Sequence, residues 1–109
     1  MYFKAPKSNS EIIWTKHAVD KMRQYGLSEN CLKRLLNRSK RQEQGIAPNT
    51  IALMMPTGGR RPTEIWLMYQ LIDGRKKIIT AWRYPGASKP KSLPIPQEII
   101  QELGNVVKF

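Results

Sequence analysis

The strongest hydrophobic pattern in the chain runs from Glu64 to Tyr84, EIWLMYQLIDGRKKIITAWRY. Its first half is apolar almost throughout: Ile65, Trp66, Leu67, Met68, Tyr69, Leu71 and Ile72 leave neither face suited to water. That predicts a central strand covered on both sides. Asp73-Gly74 predicts a tight hairpin turn. The second half alternates, placing Ile78, Thr80, Trp82 and Tyr84 on one expected face and Ile79, Ala81 and Arg83 on the other.

The flanking segments are read by the same logic. Ile12, Ile13 and Trp14 form a short apolar strand after a loose lead-in over residues 1–10. Thr15 then caps a helix in which Ala18, Met22 and Tyr25 recur at helical spacing and which Gly26 stops. Ser28 caps a second helix, with Cys31, Leu32, Leu35 and Leu36 on one arc and Lys33, Arg34, Arg38, Lys40 and Arg41 on the opposite one. Thr50 to Met55 reads as a strand, and Pro56 to Pro62 as a loop that carries Gly58, Gly59, Arg60 and Arg61. Pro85-Gly86 ends the last strand, and residues 87–96 form a Pro-rich connector. A short helix marked by Ile99, Ile100 and Leu103 follows from Pro96 and stops at Gly104, with Val106, Val107 and Phe109 beyond it free to dock. The expected fold is α+β: one domain, a small antiparallel sheet of about four strands, two N-terminal helices packed on one face and a short C-terminal helix.

Composition changes the picture through charge. Forty per cent hydrophobic and 25% charged residues in 109 are ordinary for a globular domain. Nineteen Lys and Arg against eight Asp and Glu give a net charge of +11, spread along the chain. That argues for a polyanionic partner, with nucleic acid first, an acidic protein second and an anionic membrane surface last. No apolar run is long enough to span a bilayer, and the first residues lack the apolar core of a signal peptide, so a soluble, cytoplasmic protein with no membrane partner is expected. With one cysteine, Cys31, and one histidine, His17, neither a disulfide framework nor a multi-histidine metal centre can be built, and no metal or other cofactor is assigned.

Each candidate residue has a structural reading beside its functional one. Arg34, Arg38 and Arg41, at four- and three-residue steps, are either a solvated helix face or a phosphate-binding row; interleaved acids that would relieve their repulsion are missing. Arg60 and Arg61 at a Gly-rich turn are placed to grip phosphate, although Gly-Gly-Arg-Arg matches no phosphate-loop signature. His17 is the side chain suited to acid/base work near neutrality, or else it packs the strand-helix junction. Lys16 beside it is a further candidate phosphate contact. Arg83 is either an edge residue that reaches solvent or a guanidinium aimed at a site. Trp14, Trp66 and Trp82 are core aromatics, or one of them stacks on an unpaired base.

Trp14-Thr15-Lys16-His17-Ala18, then Lys21-Met22, then Tyr25-Gly26-Leu27-Ser28, resembles the opening of a RelE-like group of domains that begins with a strand running into His-Ala. Lys77 to Tyr84 resembles the last strand of that group, so the likeness covers roughly residues 12–84, leaving 85–109 as connector and C-terminal helix. The resemblance implies the fold shared by RelE-like toxins, barnase-like nucleases and tRNA-cleaving colicins. It also implies metal-independent RNA cleavage, of mRNA-interferase or tRNA-cleaving type, and an acidic antitoxin or inhibitor protein as partner. On it, Arg83 and Tyr84 become transition-state clamp and proton donor beside His17 as catalytic residues. Two departures, Lys21 where Arg is usual and Tyr25 in place of the Arg before the glycine, support a rival: a non-catalytic RNA-binding module on the same fold. A basic interaction protein covered by an acidic partner is the third reading.

Overall fold

The computed structural model describes residues 3–106. The chain is α+β, with a five-stranded mixed sheet and three helices: β1 (Ile12–Trp14), α1 (Lys16–Tyr25), α2 (Glu29–Arg38), β2 (Arg41–Gln44), β3 (Thr50–Pro56), β4 (Thr63–Ile72), β5 (Arg75–Pro85) and α3 (Gln97–Val106). The strand order is β1-β5-β4-β3-β2. β1 lies parallel to β5, with Trp14 opposite Ile78, and all other pairs are antiparallel.

The central hairpin forms as its residues require. Asp73 and Gly74 both take positive φ (49° and 76°), the geometry of a two-residue turn that matches strand twist. The helix boundaries also follow from the caps. Thr15 and Ser28 accept from the backbone N–H groups of Ala18 and Cys31, and Gly26 closes α1 in the left-handed region at φ 68° with its N–H on the Met22 carbonyl.

Four expectations are corrected. The sheet has five strands and is mixed where an antiparallel one is expected: β1 runs parallel to β5, and Arg41–Gln44 leaves the predicted helix arc and pairs with β3, Arg41 opposite Met54. Local propensity favours helix over this polar segment; backbone pairing along the β3 edge, begun by Lys40 N–H to the Met54 carbonyl at 2.8 Å, outweighs it. Second, β5 does not alternate strictly. Met68 pairs with Thr80 and Tyr69 with Ile78, so Ile79 is an extra residue. This bulge sends Ile78 and Ala81 to the side of α1 and α2, and Ile79 and Trp82 to the other. Third, α3 continues past Gly104 to Val106. Fourth, the lead-in is tied down: Phe3 packs on the core under the Arg23 guanidinium, and Ser8 and Asn9 accept hydrogen bonds from the backbone of Trp14, Glu11 and Ile12. The expected docking of Val107 and Phe109 lies outside the described residues, and nothing is described of the Val106 side chain.

The sheet divides two cores. On one side α1 and α2 bury Ala18, Met22, Leu27, Leu32 and Leu35 against Leu53, Ile65, Leu67, Ile78 and Ala81. On the other, the connector and α3 bring Leu93, Ile95, Ile99 and Leu103 onto Met54, Trp66, Met68, Ile79 and Trp82. Trp66 and Trp82 stack there, 5.6 Å between centroids and 2° from parallel. Burial of Ile99 and Leu103 contributes roughly 3–6 kcal/mol to holding α3 in place.

Candidate nucleic-acid interface

One end of the sheet carries Lys40, Arg60 and Arg61, while Arg34 and Arg38 lie on α2, whose Lys33, Leu36 and Asn37 line a groove with Gly74 and Lys76 of the opposite, hairpin end. The β3–β4 loop is closed by Thr57 N–H to the Thr63 carbonyl (2.8 Å), and Gly86 N–H donates to the Pro62 carbonyl (3.1 Å), so Arg60 and Arg61 project beside the C-terminal end of β5. Lys40 enters β2 at the same end, next to Met54. Arg83 and Arg34 are both near enough to Cys31 to oppose the burial that pushes its thiol pKa up. Arg34, Arg38, Lys40, Arg60 and Arg61 are all exposed.

The acids of this end point elsewhere. Glu64, 4% exposed, accepts from Trp66 Nε1 (3.1 Å), Ser88 N–H (3.0 Å) and Ser88 Oγ (2.6 Å). Burial alone would raise its pKa; the hydrogen bonds from Ser88 and Trp66, with the charge of Arg41, lower it instead. Glu43 pairs with Arg41 Nε at 2.9 Å and accepts from Lys91 N–H at 3.1 Å. Of the eighteen Lys and Arg among the described residues, only Lys21, Lys33 and Arg41 lie within ion-pair reach of Asp or Glu. The basic side chains exposed at the sheet end therefore have no acid within ion-pair reach among the described residues.

Arg41 is not part of that surface. Its guanidinium lies over the Trp66 ring at 5.0 Å and donates to Ser88 Oγ (2.8 Å) and to the Ser92 and Ser88 carbonyls (3.0 and 3.3 Å). It clamps the connector to the second face, so its donors are spent inside the fold. Trp14, Trp66 and Trp82 are all buried, and none presents a face to a base.

The three residues expected near chemistry do not converge. His17, 8% exposed, holds Nε2 2.9 Å from Thr80 Oγ1, with burial as the main cause of its lowered pKa. Arg83 donates to the Tyr25 carbonyl (3.3 Å) at the far end of α1, about 12 Å along the helix from the level of His17. Tyr84 packs against the second core, on the opposite face of β5 from Arg83. Lys16 is exposed on the first turn of α1, next to His17 and away from the arginine end.

A second polar cluster joins α1 to α3 beside the part of β5 that lies beyond its pairing with β1. Lys21 Nζ is 2.5 Å from Glu102 Oε1 and donates to Gln24 Oε1 (2.8 Å). His17 Nδ1 is 4.0 Å from Glu102 Oε2. Gln24 Nε2 and the Tyr25 hydroxyl donate to Glu98 Oε1 at 3.1 and 3.0 Å, and burial with the Glu98 hydrogen bond pushes the Tyr25 pKa up to about 12. The reading of the sequence did not single out Lys21, Glu98 or Glu102 as a cluster. Its signal was there: His17, Lys21 and Tyr25 repeat every four residues on α1, and Glu98 and Glu102 every four on α3.

Among the described residues no three His, Cys, Asp or Glu side chains are grouped to hold a metal ion, and no helix is long and apolar enough to cross a membrane. No protein-family model, curated protein or solved structure matches this chain.

Proposed function

We propose that this chain is an RNA-binding module that grips phosphates with Arg34, Arg38, Arg60, Arg61 and Lys40, on a RelE-like fold. The observation that carries the reading is the segregation of charge: Lys40, Arg60 and Arg61 at the sheet end and Arg34 and Arg38 on α2 face solvent, while the two acids near the sheet end, Glu43 and Glu64, are engaged beneath the other face. Phosphate contacts of this kind give affinity without base reading, and the burial of all three tryptophans fits a sequence-tolerant mode. RNA in preference to DNA rests on the resemblance of the His17-Ala18 and Lys77–Tyr84 segments to RelE-like proteins. Binding is preferred to cleavage because His17, Arg83 and Tyr84 are held apart by their own contacts.

Titration of a labelled RNA hairpin at several salt concentrations tests this. The Arg34→Ala/Arg38→Ala/Arg60→Ala/Arg61→Ala variant should lose at least ~10-fold in affinity at physiological salt and reduce the salt slope by roughly 3–4. Lys4→Ala/Lys7→Ala should change both much less. Equal losses from the two sets would sink the interface, and new 2′,3′-cyclic phosphate ends formed in chelator would sink the non-catalytic reading.

A further inference from the structure

The seam between α1 and α3 is a row of donors facing two carboxylates. Lys21 is 4% exposed and His17 8%, so both were taken out of water to sit against Glu102. The carboxylate is the accessible member: the Glu102 side chain is 42% exposed, while that of Lys21 is 5%. It belongs to a ten-residue helix whose described core contacts are Ile99 and Leu103. The charge that satisfies Lys21 thus arrives from the solvent side, on a partly exposed side chain.

A carboxylate and a phosphate offer an ammonium and an imidazole N–H the same thing, anionic oxygens that accept charge-assisted hydrogen bonds. We propose that Lys21, with His17 beside it, is a second phosphate site for RNA, occupied at rest by Glu102. Glu98, one turn earlier, fills the adjoining donors of Gln24 and Tyr25 in the same way. Two negative groups one helical turn apart on a row of donors are a protein counterpart of successive phosphates. When RNA is absent, Glu102 keeps the buried Lys21 paired; when a phosphate enters, the carboxylate turns outward and Lys21 exchanges one anion for another. The site rests on the reading that the chain binds RNA.

The test uses the full chain and the same labelled hairpin. Glu102→Gln should bind RNA about 5- to 10-fold more tightly than Asp73→Asn, which removes an equal charge at the β4–β5 turn, and should steepen the salt slope by about 1. Adding Lys21→Gln to Glu102→Gln should abolish the gain, and Lys21→Arg should keep it. Without any substitution, RNA should shift the imidazole resonances of His17, the single histidine of the chain. Unmoved His17 resonances at saturation, or Glu102→Gln and Asp73→Asn behaving alike while the wild type still binds, overturn this site alone. No RNA binding by any variant overturns both it and the interface at the sheet end.

Discussion

Two charged clusters pin the chain's C-terminal quarter to its body, and they differ in which partner meets water. In the first, Arg41 and Glu64 are both withdrawn: the guanidinium lies between Trp66 and the connector, and the carboxylate is filled by Ser88 and Trp66. In the second, the cation Lys21 is withdrawn while its acids, Glu98 and Glu102, lie at the surface of α3. The same ion-pair chemistry serves as a permanent clasp in one place and a replaceable one in the other. A buried pair is costly to break because the survivor is stranded away from water. A pair with one exposed member can trade that member for a solute.

That contrast can be broken by measurement. Arg41→Ala is expected to cost about 3 kcal/mol, read as a lowered urea midpoint, since it strands Glu43 and frees residues 88–92. Glu64→Gln should cost about 2 kcal/mol by the same readout, because an amide cannot accept all three bonds the carboxylate now takes. Next comes pH. Burial lowers the folded-state pKa of His17 below its ordinary 6.5, so the unfolded chain takes up the proton first. Stability from this group is fully present above about pH 6.5 and is lost as pH falls through the lower folded-state value; His17→Asn should flatten the slope of urea midpoint against pH in that window. The smallest effect is expected from Glu102→Gln, about 1 kcal/mol or less, because the pair is half exposed and the amide oxygen still accepts from Lys21. A cost equal to that of Arg41→Ala would make the seam a clasp like the first and erase the distinction.

Much of the fold was legible because its signals are local. Asp73-Gly74, the caps at Thr15 and Ser28 and the stop at Gly26 each act within four residues. The misses are events that no short window contains. Arg41-Gln42-Glu43-Gln44 carries no apolar alternation, so its strand exists only because β3 offers an edge. The bulge at Ile79 is a property of two strands, and it reverses the faces assigned to Ile78 and Ile79 without altering a single residue preference. Arg41 read as a free helix cation because the groups that consume it, Ser88 and Ser92, are 47 and 51 residues away. Arg60 and Arg61 were legible singly; that they share one sheet end with Lys40 while Glu43 and Glu64 turn from it follows only from register.

The parallel pairing of β1 with β5 bears on how the chain is made. The Thr15 hydroxyl donates to the Ile78 carbonyl, 63 residues later, and Trp14 finds its place in the first core only when β5 lies alongside. During synthesis α1 and α2 leave the ribosome with their apolar faces uncovered; α2 is seated by β3 and β4, but β5, the strand that seats α1, comes last. Contacts this distant in sequence pay loop-closure entropy before they return any burial, which slows folding and leaves α1 waiting. Until β5 is in place the apolar face of α1 has no sheet strand to cover it, the kind of uncovered surface that favours self-association.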